Sequence, residues 1–175
     1  NLLDMPVPNY TLRTRVGSSL GANQNFWADS NPHFGVWHTP NSTLDHEKAC
    51  FSVTYRSNSH GMRDPERTMA SQDRRVVFLG DSMVEGFGVE RKERMTTLLE
   101  SNTGIEFLNF GTAGDFGPTQ YYLLYKHFAK QFAHDVVLIG MFPANDFRDD
   151  DIKVAPRSYG DRYRPYWVGT SPDYE

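Results

Sequence analysis

The chain contains one cysteine, Cys50, among 175 residues. A single thiol excludes an internal disulfide framework and any zinc site built from several thiolates. No apolar run approaches the roughly 20 residues needed to cross a bilayer. There is no basic block either: 18 Lys and Arg stand against 22 Asp and Glu, a formal charge of −4. Nucleic acid and anionic membrane surfaces are therefore poor candidates for the main partner. Glycine and proline number only 14 and 10, too few for a low-complexity or disordered chain. No internal repeat is visible. The apolar share of 38% suits one globular domain with a real core, with or without an appendage.

Residues 1–72 and 73–175 differ in texture. The first stretch is broken by Pro6, Pro8, Gly17, Gly21, Pro32, Gly35, Pro40, Gly61 and Pro65. Its one periodic signal is Phe51-Ser52-Val53-Thr54-Tyr55, alternating as a half-buried strand does. Its aromatic residues, among them Phe26, Trp27, Phe34 and Trp37, are too many for a free tail. The expectation is an irregular flap packed on the main domain, with Cys50 as a small buried apolar residue.

From Arg74 onward, short apolar runs alternate with helical ones. Val76–Leu79, Ile105–Phe110 and Asp135–Ile139 read as strands buried on both faces by helices. Met95–Glu100, stopped before Gly104, predicts a short helix. Pro118 opens a longer one whose stripe is Tyr121, Leu124, Phe128 and Phe132. The alternation predicts an α/β fold: a three-layer, flavodoxin-like parallel sheet.

Ligands of such sheets bind beyond the carboxyl ends of the strands. There the sequence places Gly80-Asp81-Ser82, Gly111-Thr112-Ala113-Gly114-Asp115 and Ala144-Asn145-Asp146. Ser82 follows a strand at the turn into a helix, where an exposed hydroxyl can act as a nucleophile if a base is supplied. The backbone N–H groups of Ser82 and Gly114 and the Asn145 carboxamide could hold a developing oxyanion. Taken singly, each has a plain structural reading. The serine can be an N-cap, Asn145-Asp146 a turn, and Gly111 and Gly114 loop glycines with positive φ. Their order, one at each of three strand exits, is what joins them.

These blocks resemble the SGNH (GDSL-type) hydrolase family. Phe78-Leu79-Gly80-Asp81-Ser82-Met83-Val84-Glu85-Gly86-Phe87-Gly88-Val89 is similar to the family's first block. Leu108–Gly114 is similar to the second, and Pro143-Ala144-Asn145-Asp146 to the third. Upstream, Asn58-Ser59-His60-Gly61-Met62-Arg63-Asp64 resembles a segment that precedes the catalytic domain in many bacterial members. The resemblance spans about residues 33 to 150. It implies the SGNH fold, with Ser82 as nucleophile and Gly114 and Asn145 as oxyanion donors. It further implies an ester hydrolase working through an acyl-serine, with a small-molecule, carbohydrate or lipid ester as substrate and an extracytoplasmic location. It calls for no cofactor and no metal. A sugar O-acyltransferase of the same fold, or a degenerate binding module, are the alternatives.

Two features depart from the family pattern. Pro143 stands where the third block has Gly, and proline fixes φ and removes an N–H. The fourth block, Asp-x-x-His, is absent: no Asp here is followed by His three positions later. Of the six histidines, His127 belongs to the longer helix and His134 to the amino end of a strand. His33, His38, His46 and His60 lie in the flap, where satisfied or solvent-facing rings are expected. The sheet is also short for a doubly wound domain. Further strands and the Asp/His pair are therefore expected past Glu175, and residues 1–175 alone are expected to be inactive.

Other signals carry less. Asp146, Asp149, Asp150 and Asp151 read as a solvated acidic surface rather than a calcium loop. Asp81 and Asp115 read as turn and capping residues rather than a glycosidase pair. Tyr159, Tyr163, Tyr166 and Trp167 read as packing aromatics.

Overall fold

The computed structural model describes residues 26–114, 116–153, 163–167, 169–170 and 173–174. Asp115 and Tyr159 lie outside the described residues. Two antiparallel hairpins come first: β1 (Trp27–Asn31) with β2 (Gly35–His38), and β3 (Thr43–Lys48) with β4 (Phe51–Arg56). The expected strand over Phe51–Tyr55 is β4, with Val53 and Tyr55 buried. The other three strands were not apparent as alternation. β2 is buried at every position, so its sequence carries no period of two. Cys50 is exposed at the β3–β4 turn. This corrects the expectation of a buried thiol, because a two-residue hairpin tip has no core beneath it.

Strands β5 (Arg75–Gly80), β6 (Glu106–Gly111) and β7 (Val136–Gly140) form a parallel sheet in the order β6-β5-β7. Helices α1 (Ser82–Glu85), α2 (Met95–Thr103), α3 (Pro118–His127) and α4 (Asp146–Asp149) follow or connect these strands. A pair of two-residue strands, β8 (Gly169–Thr170) and β9 (Asp173–Tyr174), completes the described elements. Alternation along the strands divides the core. Val77, Leu79, Leu108 and Phe110 face α3 and the two hairpins in one large cluster. Val76, Phe78 and Phe107 face Val84 of α1 and Leu99 of α2 in a smaller one. The result is a mixed α/β fold of three layers, compatible with a flavodoxin-like arrangement.

Local chemistry sets the ends of the helices. Gly104 closes α2 in the left-handed region, its N–H bonded to the Glu100 carbonyl at 2.9 Å. Pro118 takes the first position of α3. That helix ends at His127 rather than running to Phe132. A tight turn over Ala129–Gln131 still delivers Phe132 into the core, edge-on to Phe110 at 5.4 Å.

β7 departs from expectation. Its run of Val136, Val137, Leu138 and Ile139 reads like β5, yet all four are at least 36% exposed. β5 is buried throughout because it has a strand on each side and helices on both faces. β7 is the sheet edge, and among the described residues both of its faces stay partly exposed.

Candidate active site

Two glycines allow α1 to sit directly on the strand ends. A Cβ on Gly80 would overlap the Val84 side chain, and one on Gly111 would overlap the backbone of Val84 and Glu85. Gly111 is therefore needed for close approach at the end of β6, not for the positive φ that its sequence context suggests. The resulting turn presents Ser82 as the first helical residue, half-buried. The N-cap is Asp81, whose carboxylate accepts the Met83 N–H at 2.9 Å.

Asp81 also joins two strand exits. Its Oδ2 accepts the Ser82 hydroxyl at 3.5 Å and the Asn145 carboxamide at 3.4 Å. Asn145 occupies the N-cap position of α4 just beyond β7 without a side-chain capping bond, and its Nδ2 also donates to Asp149 Oδ2 at 2.9 Å. The strand order makes β5 and β7 neighbours on the side of β5 away from β6. The crevice at their carboxyl ends is the place where chain direction reverses, the usual ligand position in such sheets. Ser82 and Asn145 flank it.

Gly114, half-buried with φ of +104°, lies at the third exit. Its approach is held by Thr112 N–H on the Gly80 carbonyl at 3.2 Å and by Ala113 N–H on Glu85 Oε2.

The acidic run after β7 is not a solvated surface. Asp146 and Asp149 have no exposed area, Asp150 is half-buried, and Asp151 faces solvent. Asp146 accepts the Tyr121 hydroxyl at 3.0 Å and the Phe142 N–H at 2.7 Å. Asp149 Oδ1 has no hydrogen-bond partner and faces the Arg148 and Arg164 guanidinium groups, each at 3.8 Å. Asp150 accepts the Thr119 N–H and hydroxyl, both at 2.9 Å. The run is amphipathic rather than uniformly charged because α4 tucks one side under the rim. Burial, reinforced by the neighbouring Asp149, pushes the Asp81 and Asp146 carboxyls above the usual carboxylate range. Burial and the adjacent Asp146 likewise push the Tyr121 hydroxyl up. Among the described residues, no group of three or more His, Cys, Asp or Glu is arranged to hold a metal ion.

Nothing in the sequence links Glu85 to His38, which the structure brings together. Glu85 is fully buried one turn after Ser82 and accepts hydrogen bonds from Trp27 Nε1 at 3.1 Å and from the Ala113 N–H, and its Oε1 also lies 3.2 Å from His38 Nε2. One carboxylate thus ties the first hairpin, the serine helix and the Gly114 loop together. The segment Asn58–Asp64 serves the same helix. Arg63 donates to the carbonyls of Glu85, Gly86 and Val89, and Asn58 Oδ1 folds the turn by accepting the His60 and Met62 N–H groups, each at 2.9 Å.

None of the six histidines bonds to Ser82. His38 and His60 are satisfied as expected, His60 by the Arg67 carbonyl at 3.1 Å. His134 holds the Phe132 carbonyl and the Tyr125 hydroxyl, and His33 stacks on His127 at 3.9 Å. His46 corrects the expectation for the flap. It is buried among Trp27, Phe51, Tyr55 and Phe87, and neither ring nitrogen has a partner. Burial holds it below its ordinary pKa of 6.5, and Lys48 acts in the same direction.

Comparison with models of known families and with curated proteins finds no match to this chain.

Proposed function

We propose that this chain carries the nucleophile and oxyanion-binding part of an SGNH-type ester hydrolase. One observation carries the reading: a single Asp81 oxygen gathers the Ser82 hydroxyl and the Asn145 carboxamide across the β5–β7 crevice. In this reading Ser82 Oγ attacks an ester carbonyl, its proton passing through a base. The attack forms a tetrahedral oxyanion stabilised by the Ser82 and Gly114 N–H groups and the Asn145 Nδ2, each donor contributing about 10²–10³ in rate. Collapse of that intermediate breaks the bond to the alcohol, which leaves with the proton, and water then cleaves the acyl-serine to release the acid. The Asn145 amide must turn from Asp81 toward the substrate oxygen to stabilise the oxyanion. A histidine base lies outside the set bonded to Ser82 here, and serine without one is a poor nucleophile. The sequence blocks extend the reading to small acyl esters of carbohydrate or lipid, handled outside the cytoplasm.

The test is p-nitrophenyl acetate turnover by the full-length protein, with fluorophosphonate labelling followed by intact mass. The expected result is turnover and a single adduct, both abolished by Ser82→Ala. Turnover that survives Ser82→Ala would sink the proposal.

A second reading, a binding module that keeps the rim without the chemistry, is favoured by the commitment of both Asn145 amide hydrogens to carboxylates. Transfer of the acyl group to a sugar hydroxyl instead of water uses the same site. Product masses in the presence of a sugar acceptor separate it from hydrolysis.

A further inference from the structure

We infer that a cavity at the carboxyl end of α1, opposite the end that bears Ser82, binds a small oxyanion: inorganic phosphate or the carboxylate of a sugar acid. The cavity measures about 300 Å³ and is lined by Thr54, Arg56, Arg63, Asp64, Glu90 and Arg91. Its acids and bases are unequally matched. Asp64 is neutralised from behind, by Arg67 Nε at 2.8 Å and Arg94 at 3.1 Å. Arg67 is further shared with Glu100 and Glu106, and Arg75 with Glu106, so three carboxylates and three guanidinium groups close on one another.

Arg63 forms no direct ion pair of this kind; the carboxylates of Glu85 and Glu90 act on it from a distance. It is 2% exposed, and its terminal nitrogens are spent on three backbone carbonyls while its plane lies 3.6 Å from the centre of the Tyr55 ring. Carbonyls and a ring face supply partial charge only. Arg56 on β4 and Arg91 in the turn before α2 both line the cavity, and neither forms an ion pair among the described residues. The one unneutralised carboxylate of the lining is Glu90, held by the Thr54 N–H at 3.2 Å. Three guanidinium groups against Glu90 and the nearby Glu85 leave the cavity one positive charge in excess. Two exposed arginine forks facing a buried cation form the geometry that recognises phosphate or carboxylate in two-pronged fashion.

The proposal is independent of Ser82 and is read by binding alone. Inorganic phosphate, glucuronate and the neutral methyl glucoside are titrated calorimetrically into the full chain, at ionic strength held constant with sodium chloride. Saturable binding of phosphate, glucuronate or both, with none of the glucoside, is expected. Phosphate and glucuronate together indicate recognition of compact charge, and glucuronate alone indicates recognition of the sugar acid. Arg56→Gln with Arg91→Gln, both at the surface, is expected to weaken binding about tenfold, and Glu90→Gln to tighten it about threefold. Absence of saturable anion binding overturns the inference. So does anion binding that neither the double variant nor Glu90→Gln alters.

Discussion

His38 Nε2 lies 3.2 Å from Glu85 Oε1, and neither side chain has any exposed surface. The other ring nitrogen of His38 faces the Gly61 carbonyl at 2.8 Å. A carbonyl only accepts, so Nδ1 carries a hydrogen and Nε2 is the nitrogen that meets the carboxylate. This contact fixes the hairpin layer to the helix of Ser82.

Glu85→Ala leaves the Trp27 and Ala113 N–H groups buried without an acceptor and His38 Nε2 without its partner. The expected cost is about 4 kcal/mol. Glu85→Gln keeps the shape and part of the acceptor set, and is expected to cost about 2 kcal/mol. Urea unfolding followed by tryptophan fluorescence reads both.

Two leucines in similar strand sequences are expected to respond differently. Leu108 in β6 is fully buried, whereas Leu138 in β7 is 39% exposed. Leu108→Ala is expected to cost about 3 kcal/mol and Leu138→Ala less than about 1 kcal/mol. Equal costs would show that β7 is covered in solution.

His46→Phe fills the same aromatic cage and removes two unpartnered nitrogens. It is expected to stabilise the protein by about 1 kcal/mol at pH 8. Because the folded protein holds His46 below its ordinary pKa of 6.5, the unfolded chain binds the proton more tightly. Wild-type stability from this group is present above pH 6.5 and lost as pH falls below it. The advantage of the variant should therefore grow between pH 7 and pH 5, which paired thermal melts will show.

Asp81 has the opposite sign. Its carboxyl is raised in the folded state, so its contribution is present at acid pH and lost as pH climbs through the folded value. Asp81→Asn still caps the Met83 N–H but does not titrate. Its stability relative to wild type should rise from about pH 3.5 to pH 7, above the unfolded carboxyl value of about 3.9. A flat difference would place the Asp81 carboxyl at its ordinary value.

The composition and periodicity alone determined the layered α/β class, the three parallel strands, the helix opening at Pro118 and the rim position of Ser82. Those features rest on local rules, apolar runs between glycines and proline at a first turn, which survive any tertiary arrangement. What only the tertiary structure decided was partnership. Strand order put Asn145 rather than Gly114 across the crevice from Ser82. An edge position left β7 exposed despite its apolar run. Burial turned Asp146 and Asp149 from surface charge into structure, and brought His38 onto Glu85 across 47 residues of chain. Each of these depends on which residues distant in sequence share a space, and the energy of a charge or an apolar group is set by that space rather than by its neighbours along the chain.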